Sequence, residues 1–136
     1  GGFNMNLQEL GTLALQNLSV KIFILNNKTY GLIKQTQKTW LKSRHVCVDI
    51  DSGVASPDFI KIARAYNIKT KTIDSHDNIE SKIKDVLTYN DGPIICNIIV
   101  SEYQEAVPKS NFERSIEDMY PYLSKEELEE NMNFDN

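Results

Sequence analysis

The sequence of 136 residues predicts an α/β fold, a three-layer sandwich built on a mostly parallel, doubly wound sheet. Three segments rich in β-branched residues, at positions 20–25, 68–73 and 94–100, alternate with stretches of helical period. The first segment is largely apolar on both faces, which is typical of a parallel strand covered by helices on each side. Strands joined through helices make right-handed crossovers and therefore run parallel.

The first half of the chain is predicted as helix, strand and helix. Asn6 and Glu9 have the spacing of a capping box, so a helix should begin at Asn6 and end near Asn17. The strand at 20–25 follows, and Gly31 begins a second helical pattern. The apolar period of the first helix is carried by Leu7, Leu10, Ala14 and Leu18, and the second pattern consists of Leu32, Ile33, Thr36, Trp40 and Leu41.

The second half alternates helix and strand after an irregular stretch at 43–55. Ser56-Pro57-Asp58 predicts a helix start with serine as the cap and proline at the first helical position. A strand at 68–73 comes next, followed by a helix that begins after Asp77 or Asn78. Asp91-Gly92-Pro93 should end that helix before the last strand.

Two parts of different composition are expected, a domain at 1–108 and a tail at 109–136. The tail is acidic and contains few aliphatic residues. Ser124 and Glu127 have capping-box spacing, which predicts a short helix at 125–132. The aromatic residues of the tail indicate a segment that docks on another surface. The chain begins at Gly1-Gly2-Phe3 without a methionine, and we interpret it as a fragment of a longer protein.

Composition narrows the function classes. The net charge of −4 argues against a nucleic-acid binder. No apolar run approaches the roughly 20 residues of a membrane span, and no signal peptide is evident. Cys47 and Cys96 lack zinc-site spacing and are expected to be reduced and buried, in a cytoplasmic protein. His45, Asp49 and Asp51 are interpreted as loop residues, with both carboxylates solvated.

The amide pair Asn26-Asn27 at the end of the first strand is the main functional signal. Asparagine is common in turns, so a simple turn is the alternative to a ligand site. A carboxamide oxygen suits a hard cation such as magnesium. A diphosphate can bind backbone N–H groups where a helix starts at the same edge of the sheet.

These residues resemble the cofactor-binding domain of thiamine diphosphate enzymes, and most closely the large subunit of acetolactate synthase. The family motif is Gly-Asp-Gly followed, about two dozen residues later, by Asn-Asn or Asp-Asn. Gly1 resembles the last glycine of that triplet, and residues 2–25 separate it from Asn26. Pro57-Asp58-Phe59 and Asp91-Gly92-Pro93 also fall where the family has them. The aspartate of the triplet would precede Gly1, and the similarity covers about residues 1–108.

The resemblance implies a metal site and a diphosphate site. Asn27 would ligate magnesium through its side-chain oxygen, and Thr29 would ligate it through its backbone carbonyl. Gly1 and Gly2, with Phe3 beside them, would offer backbone N–H groups to the diphosphate. Magnesium would join the diphosphate to the protein and neutralise its charge.

The resemblance also implies which residues approach the thiazolium ring of the cofactor. Tyr30 would belong to the cofactor-binding set, Gly31 would lie close to the ring, and Leu32 would form an apolar wall near the substrate. Thr36 stands where acetolactate synthases carry a tryptophan that lines the substrate channel, which leaves the identity of the substrate open.

The implied reaction is decarboxylation of a 2-oxo acid such as pyruvate and ligation of the resulting acyl carbanion to a second carbonyl compound. The glutamate that activates the cofactor would lie on a pyrimidine-binding domain of a partner subunit, within a homodimer or homotetramer. No catalytic residue is therefore expected in this chain, and the chain alone should be inactive. Two alternatives stay open. One is another thiamine diphosphate decarboxylase, oxidase or carboligase of surface-sugar metabolism; the other is a non-catalytic Rossmann-like association module.

Overall fold

The computed structural model describes residues 1–134, so the last two residues of the predicted tail lie outside the described residues. A short 3-10 helix, Gly2–Asn6, comes first. The elements that follow are α1 (Glu9–Leu15), β1 (Lys21–Asn26), α2 (Gly31–Trp40), α3 (Phe59–Ala65), β2 (Lys69–Ile73), α4 (Ile79–Thr88), β3 (Ile94–Ile99) and α5 (Lys125–Asn131). The predicted alternation of helices and strands is confirmed.

The three strands form one parallel sheet in the order β1-β3-β2. In the register, Lys21 of β1 lies opposite Ile94 and Asn26 opposite Ile99. The chain returns from each edge strand through helices, because parallel neighbours need a crossover. The α/β class with a parallel sheet is confirmed, and the carboxyl ends of all three strands meet at one edge.

The core lies on both faces of the central strand. Ile95 of β3 is fully buried against α1 and α3, where it packs with Leu10 and Phe59. Cys96 of β3, also fully buried, faces α4 and packs with Val86. Successive side chains of a strand point to opposite faces, which explains why adjacent residues belong to different clusters.

Strand β1 departs from the prediction that helices cover both of its faces. Its Ile24 side chain is buried on the α1 face. On the α4 face Phe23 is exposed, and Leu25 is 70 % exposed. Helix α4 contacts β2. Within the described chain, the apolar residues of β1 on the α4 face are therefore uncovered.

Two predicted helix caps were wrong. Asn6 lies in the 3-10 helix, and α1 begins after Gln8 with no side-chain cap, while Glu9 accepts a hydrogen bond from Thr12. The cap of α3 is Asp58 rather than Ser56. One Asp58 oxygen accepts hydrogen bonds from the N–H groups of Ile60 and Lys61, both at 3.0 Å, because a carboxylate satisfies two free donors at once.

The predicted cap of the last helix is confirmed. Ser124 Oγ accepts a hydrogen bond from the N–H of Glu127 at 3.2 Å. The turn before β3 contains Gly92 at φ +131°, a conformation that favours glycine.

The described chain divides into two compact units, residues Gly1–Gln104 and a second unit that begins at Glu105. In the second unit Lys109 and Tyr120 pair as an antiparallel bridge. The Arg114 guanidinium stacks 3.9 Å from the centre of the Tyr122 ring and forms an ion pair with Asp118 at 2.7 Å. The domain boundary at residue 108 stays a prediction.

The cysteine prediction is half correct. Both thiols are free, but only Cys96 is buried, and burial raises the pKa of its thiol. Cys47 is exposed in the loop after α2, where its backbone has φ +52°. Among residues 1–134, no helix is long and apolar enough to cross a bilayer.

Candidate functional site

The amide pair at the carboxyl end of β1 forms two consecutive turns. Asn26 Oδ1 accepts a hydrogen bond from the N–H of Lys28 at 3.1 Å, and Asn27 Oδ1 accepts one from the N–H of Thr29 at 3.3 Å. Asn26 also donates its amide N–H to Asn97 Oδ1 on β3 at 3.1 Å. A carboxamide oxygen has two lone pairs, so the turn leaves Asn27 a second acceptor position.

The backbone that follows is held by a single carbonyl. Thr29 is buried, and its hydroxyl donates to the carbonyl oxygen of Val48 at 2.7 Å. The N–H of Tyr30 donates to the same oxygen at 2.8 Å. These two bonds fix the loop between β1 and α2 before the helix begins at Gly31.

Two glycines allow close approaches around this loop. An ideal Cβ built on Gly1 would lie 2.8 Å from two carbons of the Tyr30 ring. One built on Gly31 would lie 2.7 Å from the side-chain nitrogen of Asn27. Gly1 at the start of the chain therefore lies against the Tyr30 ring, three residues after Asn27.

The other predicted site residues differ in position. A Cβ on Gly2 would meet nothing within 4 Å, so its backbone borders open space. Leu32 is 70 % exposed on α2. The Phe3 side chain packs edge to face against Phe59 at 5.4 Å, as part of the α1 core. Phe3 can therefore contact a ligand through its backbone but not through its side chain.

The loop after α2 carries residues of the site that the sequence did not indicate. Asp49 was expected to be solvated, but it is only 8 % exposed and forms an ion pair with Lys34 at 2.8 Å. The expectation failed because Ser52 folds back on Asp49, with its hydroxyl donating to the carboxylate at 2.6 Å. Asp51 is exposed, as expected. The sequence holds no local signal for this pair, because Lys34 lies on α2 and meets Asp49 only through the folding of the loop that follows.

The ion pair determines how these groups titrate. The hydrogen bond from Lys34, and then those from Ser52, lower the pKa of Asp49 from its usual 3.8 to about 2. The hydrogen bond to Asp49 raises the pKa of Lys34. Glu102 lies 3.7 Å from the same ammonium group, and the Tyr103 ring centre lies 5.8 Å from it.

These shifts predict a pH dependence of stability. A carboxyl whose pKa is lower in the folded state stabilises the fold above the unfolded pKa, and this contribution is lost as the pH falls from 3.8 to about 2. The melting temperature of the protein should therefore exceed that of Asp49→Asn by a constant margin above about pH 5, and the margin should shrink toward pH 2. Melting curves of both proteins across this range provide the measurement. A difference in melting temperature that does not change with pH would show that Asp49 does not have the lowered pKa.

Two buried polar atoms in this unit have no hydrogen-bond partner. They are the side-chain oxygen of Asn4, in the opening 3-10 helix, and Nε2 of His45, in the loop after α2. Buried polar atoms normally have partners, so an unpaired acceptor three residues from Gly1 fits a ligand or its bound water. His45 was expected to be exposed or locally bonded, but it is half-buried.

The donor set at the end of β1 fits a hard cation. In the described part of the chain, no three His, Cys, Asp or Glu side chains are grouped as a metal site. The groups available near Asn27 are carboxamide and carbonyl oxygens, which suit magnesium, an ion that uses few protein ligands together with phosphate oxygens.

Comparison with known proteins bears on the same region. Residues 1–98 match the family described as thiamine pyrophosphate enzyme, C-terminal TPP binding domain. The acetolactate synthase large subunit of Porphyra purpurea is 37 % identical over 106 residues, which are 78 % of this chain and 18 % of the relative.

Similar relatives occur in an archaeon and in a bacterium. The probable acetolactate synthase large subunit of Methanocaldococcus jannaschii is 36 % identical over 108 residues, 79 % of this chain and 17 % of the relative. The acetolactate synthase isozyme 2 large subunit of Escherichia coli is 31 % identical over 108 residues, 79 % of this chain and 19 % of the relative. The chain thus spans about a fifth of the length of the curated relatives that it matches.

Proposed function

Because the chain belongs to the family of C-terminal, TPP-binding domains of thiamine pyrophosphate enzymes, we propose that its amide pair anchors the diphosphate end of that cofactor through magnesium. Asn27 supplies its side-chain oxygen and Thr29 its backbone carbonyl. The proposal is supported chiefly by the close approach of Gly1 to the Tyr30 ring, since it brings the start of the chain against the loop that carries both proposed ligands.

The backbone at Gly1, Gly2 and Phe3 receives the diphosphate. These residues form the N-cap and first turn of the 3-10 helix Gly2–Asn6. The first turn of a helix leaves N–H groups without partners inside the helix, and such groups bind anions. Gly2 adds no side chain to this surface, and the Phe3 side chain is directed into the core. Both features support a diphosphate site that is open to solvent and lined by backbone N–H groups.

The start of α2 approaches the reactive end of the cofactor. Tyr30 and Gly31 directly follow Thr29, and Leu32 presents an exposed apolar side chain for the substrate side. When bound, thiamine diphosphate supplies an electron sink for decarboxylation and carbon–carbon bond formation. The contribution of this chain is to bind and orient it.

The reaction we propose is of the acetolactate synthase type, with a 2-oxo acid such as pyruvate as donor and a second carbonyl compound as acceptor. Relatives named acetolactate synthase support it. The acceptor stays open, because Thr36 presents only a small exposed hydroxyl that bonds back to the Leu32 carbonyl at 3.0 Å. A pyrimidine-binding domain of a partner subunit, in a cytoplasmic homodimer or homotetramer, would complete the site, and this domain alone should be inactive.

The test is titration of the full-length protein with thiamine diphosphate in a calorimeter. We expect saturable binding with magnesium present, loss of binding when EDTA removes the metal, and recovery when excess magnesium is added. Thiamine without the diphosphate is the control and should bind far more weakly, because it lacks the group that the metal holds. Equal binding of the diphosphate in EDTA, or no binding with magnesium, would overturn the proposal.

A further inference from the structure

The Val48 carbonyl holds the loop between β1 and α2, which carries both proposed metal ligands. It accepts hydrogen bonds from both the Thr29 hydroxyl, at 2.7 Å, and the Tyr30 N–H, at 2.8 Å. The Val48 side chain is fully buried, so its backbone cannot shift without repacking. The Tyr30 N–H and the Thr29 carbonyl belong to the same peptide group. Contacts that hold Val48 in place therefore also orient the Thr29 carbonyl, which we propose as a metal ligand.

One face of α2 fixes the segment around Val48, residues 46–52, which we name the anchoring loop. The Gln37 amide bonds both backbone groups of Val46, donating to its oxygen at 3.0 Å and accepting from its nitrogen at 2.9 Å. One helical turn earlier, Lys34 reaches Asp49 at 2.8 Å. Lys34 and Gln37 lie three apart and so share a face with Tyr30.

Asp49 links that helix face to the turn of the anchoring loop. Its carboxylate accepts hydrogen bonds from the N–H of Ser52, at 3.0 Å, and from the Ser52 hydroxyl, at 2.6 Å. The same hydroxyl oxygen accepts from the N–H of Val48, at 2.9 Å. A continuous chain of contacts thus runs from the Lys34 ammonium through the Asp49 carboxylate and the Ser52 hydroxyl to the Val48 backbone.

We propose that the Lys34–Asp49 ion pair, whose side chains are 19 % and 12 % exposed, is a positioning device for the cofactor site, acting through the Val48 carbonyl on the Thr29–Tyr30 backbone. The inference rests on the proposed function, because it assumes that the Thr29 carbonyl ligates the metal. Neither residue touches the cofactor in this account. Groups that orient metal ligands typically change metal affinity by about 10- to 100-fold when they are replaced.

Asp49 rather than Glu102 is the effective partner of Lys34. The Asp49 contact is shorter, 2.8 Å against 3.7 Å, and its side chain is 12 % exposed where that of Glu102 is 45 % exposed. Exposed ion pairs contribute little, whereas a buried carboxylate that loses its partner destabilises its surroundings. Within the described residues, the ion pair of Glu102 is with Lys34 and not with the anchoring loop.

The test compares Asp49→Asn with two controls in the full-length protein. Asp51→Asn removes an equal charge from an exposed position of the same loop, and Glu102→Gln removes the outer partner of Lys34. We expect Asp49→Asn to raise the magnesium concentration for half-maximal thiamine diphosphate binding about 10-fold or more. Both controls should stay within about 2-fold, since they leave the anchoring loop in place.

A second measurement does not depend on cofactor binding. Hydrogen exchange of the ligand-free protein should be faster at the Tyr30 amide in Asp49→Asn than in the parent, and unchanged in the two controls. Lys34→Arg, which keeps the charge, should retain more magnesium affinity than Lys34→Gln. If the parent binds the cofactor with magnesium but Asp49→Asn matches Asp51→Asn in both measurements, the positioning role is wrong while the proposed function stands. If the parent does not bind thiamine diphosphate with magnesium, the proposed function fails. In that case, hydrogen exchange at the Tyr30 amide that is the same in Asp49→Asn as in the parent would overturn the positioning role as well.

Discussion

Replacing Asn27 by alanine should weaken magnesium-dependent binding of thiamine diphosphate by on the order of 100-fold, about 2.7 kcal/mol. The substitution removes the side-chain oxygen that we propose as a metal ligand, and alanine offers nothing in its place. The fold should tolerate the change, because the lost hydrogen bond to the Thr29 N–H is long, at 3.3 Å, and lies in a half-buried loop. Calorimetric titration of the full-length protein, with a melting curve for each variant, measures both quantities.

The matched control is Asn27→Asp, which keeps an oxygen in the same position. It should bind the cofactor within about 10-fold of the parent, since carboxylate oxygens also ligate magnesium. If Asn27→Ala binds as tightly as the parent while its magnesium dependence is unchanged, Asn27 is a turn residue only and the metal ligand lies elsewhere.

The second large effect is expected from Gly31→Ala. A Cβ at this position would lie 2.7 Å from the side-chain nitrogen of Asn27, so the carboxamide must rotate away from its present position. Alanine is otherwise favourable at the start of α2, so the melting temperature should hold or rise slightly. Cofactor affinity should nevertheless fall about 10-fold or more, because an oriented ligand is displaced.

Gly11→Ala is the control for this experiment. It adds the same methyl group to a helix, but its nearest neighbour is a Tyr66 ring carbon at the ordinary contact distance of 3.4 Å. This variant should match the parent in affinity. A Gly31→Ala protein that keeps full cofactor affinity would show that the position of the Asn27 carboxamide does not matter.

The strands and most helix positions could be predicted because they depend on local pattern. Ile94 and Ile95 stand in a β-branched run that is buried on both sides of the central strand. Gly31 and Ile79 begin helices within a residue of the predicted starts. Hydrophobic period and turn residues are enough for this level of description.

The helix caps and the burial of β1 were less predictable. The choice of cap depends on competition between neighbouring residues, and burial of a strand depends on which helix packs on it. Ser56 and Asp58 are both good caps, and sequence alone does not show which carboxylate or hydroxyl reaches the free N–H groups. Leu25 has the apolar character of a core residue, but in the described chain α4 packs on the other edge strand, and Leu25 stays exposed.

The candidate site divides in the same way. Asn27, Thr29 and the opening glycines follow from motif and spacing, so the sequence could indicate them. The Lys34–Asp49 pair could not be predicted, because the two residues meet only through a loop whose turn is closed by Ser52. A carboxylate in an irregular polar stretch is usually solvated, and only tertiary structure reveals the exception.

The most direct measurement is an experimental structure of the full-length protein with magnesium and thiamine diphosphate. We expect Asn27 Oδ1 and the Thr29 carbonyl oxygen each to lie about 2.1 Å from the metal. We also expect the diphosphate to contact the backbone of Gly1 and Gly2. A bound magnesium diphosphate with both protein oxygens outside coordination distance would contradict the central claim.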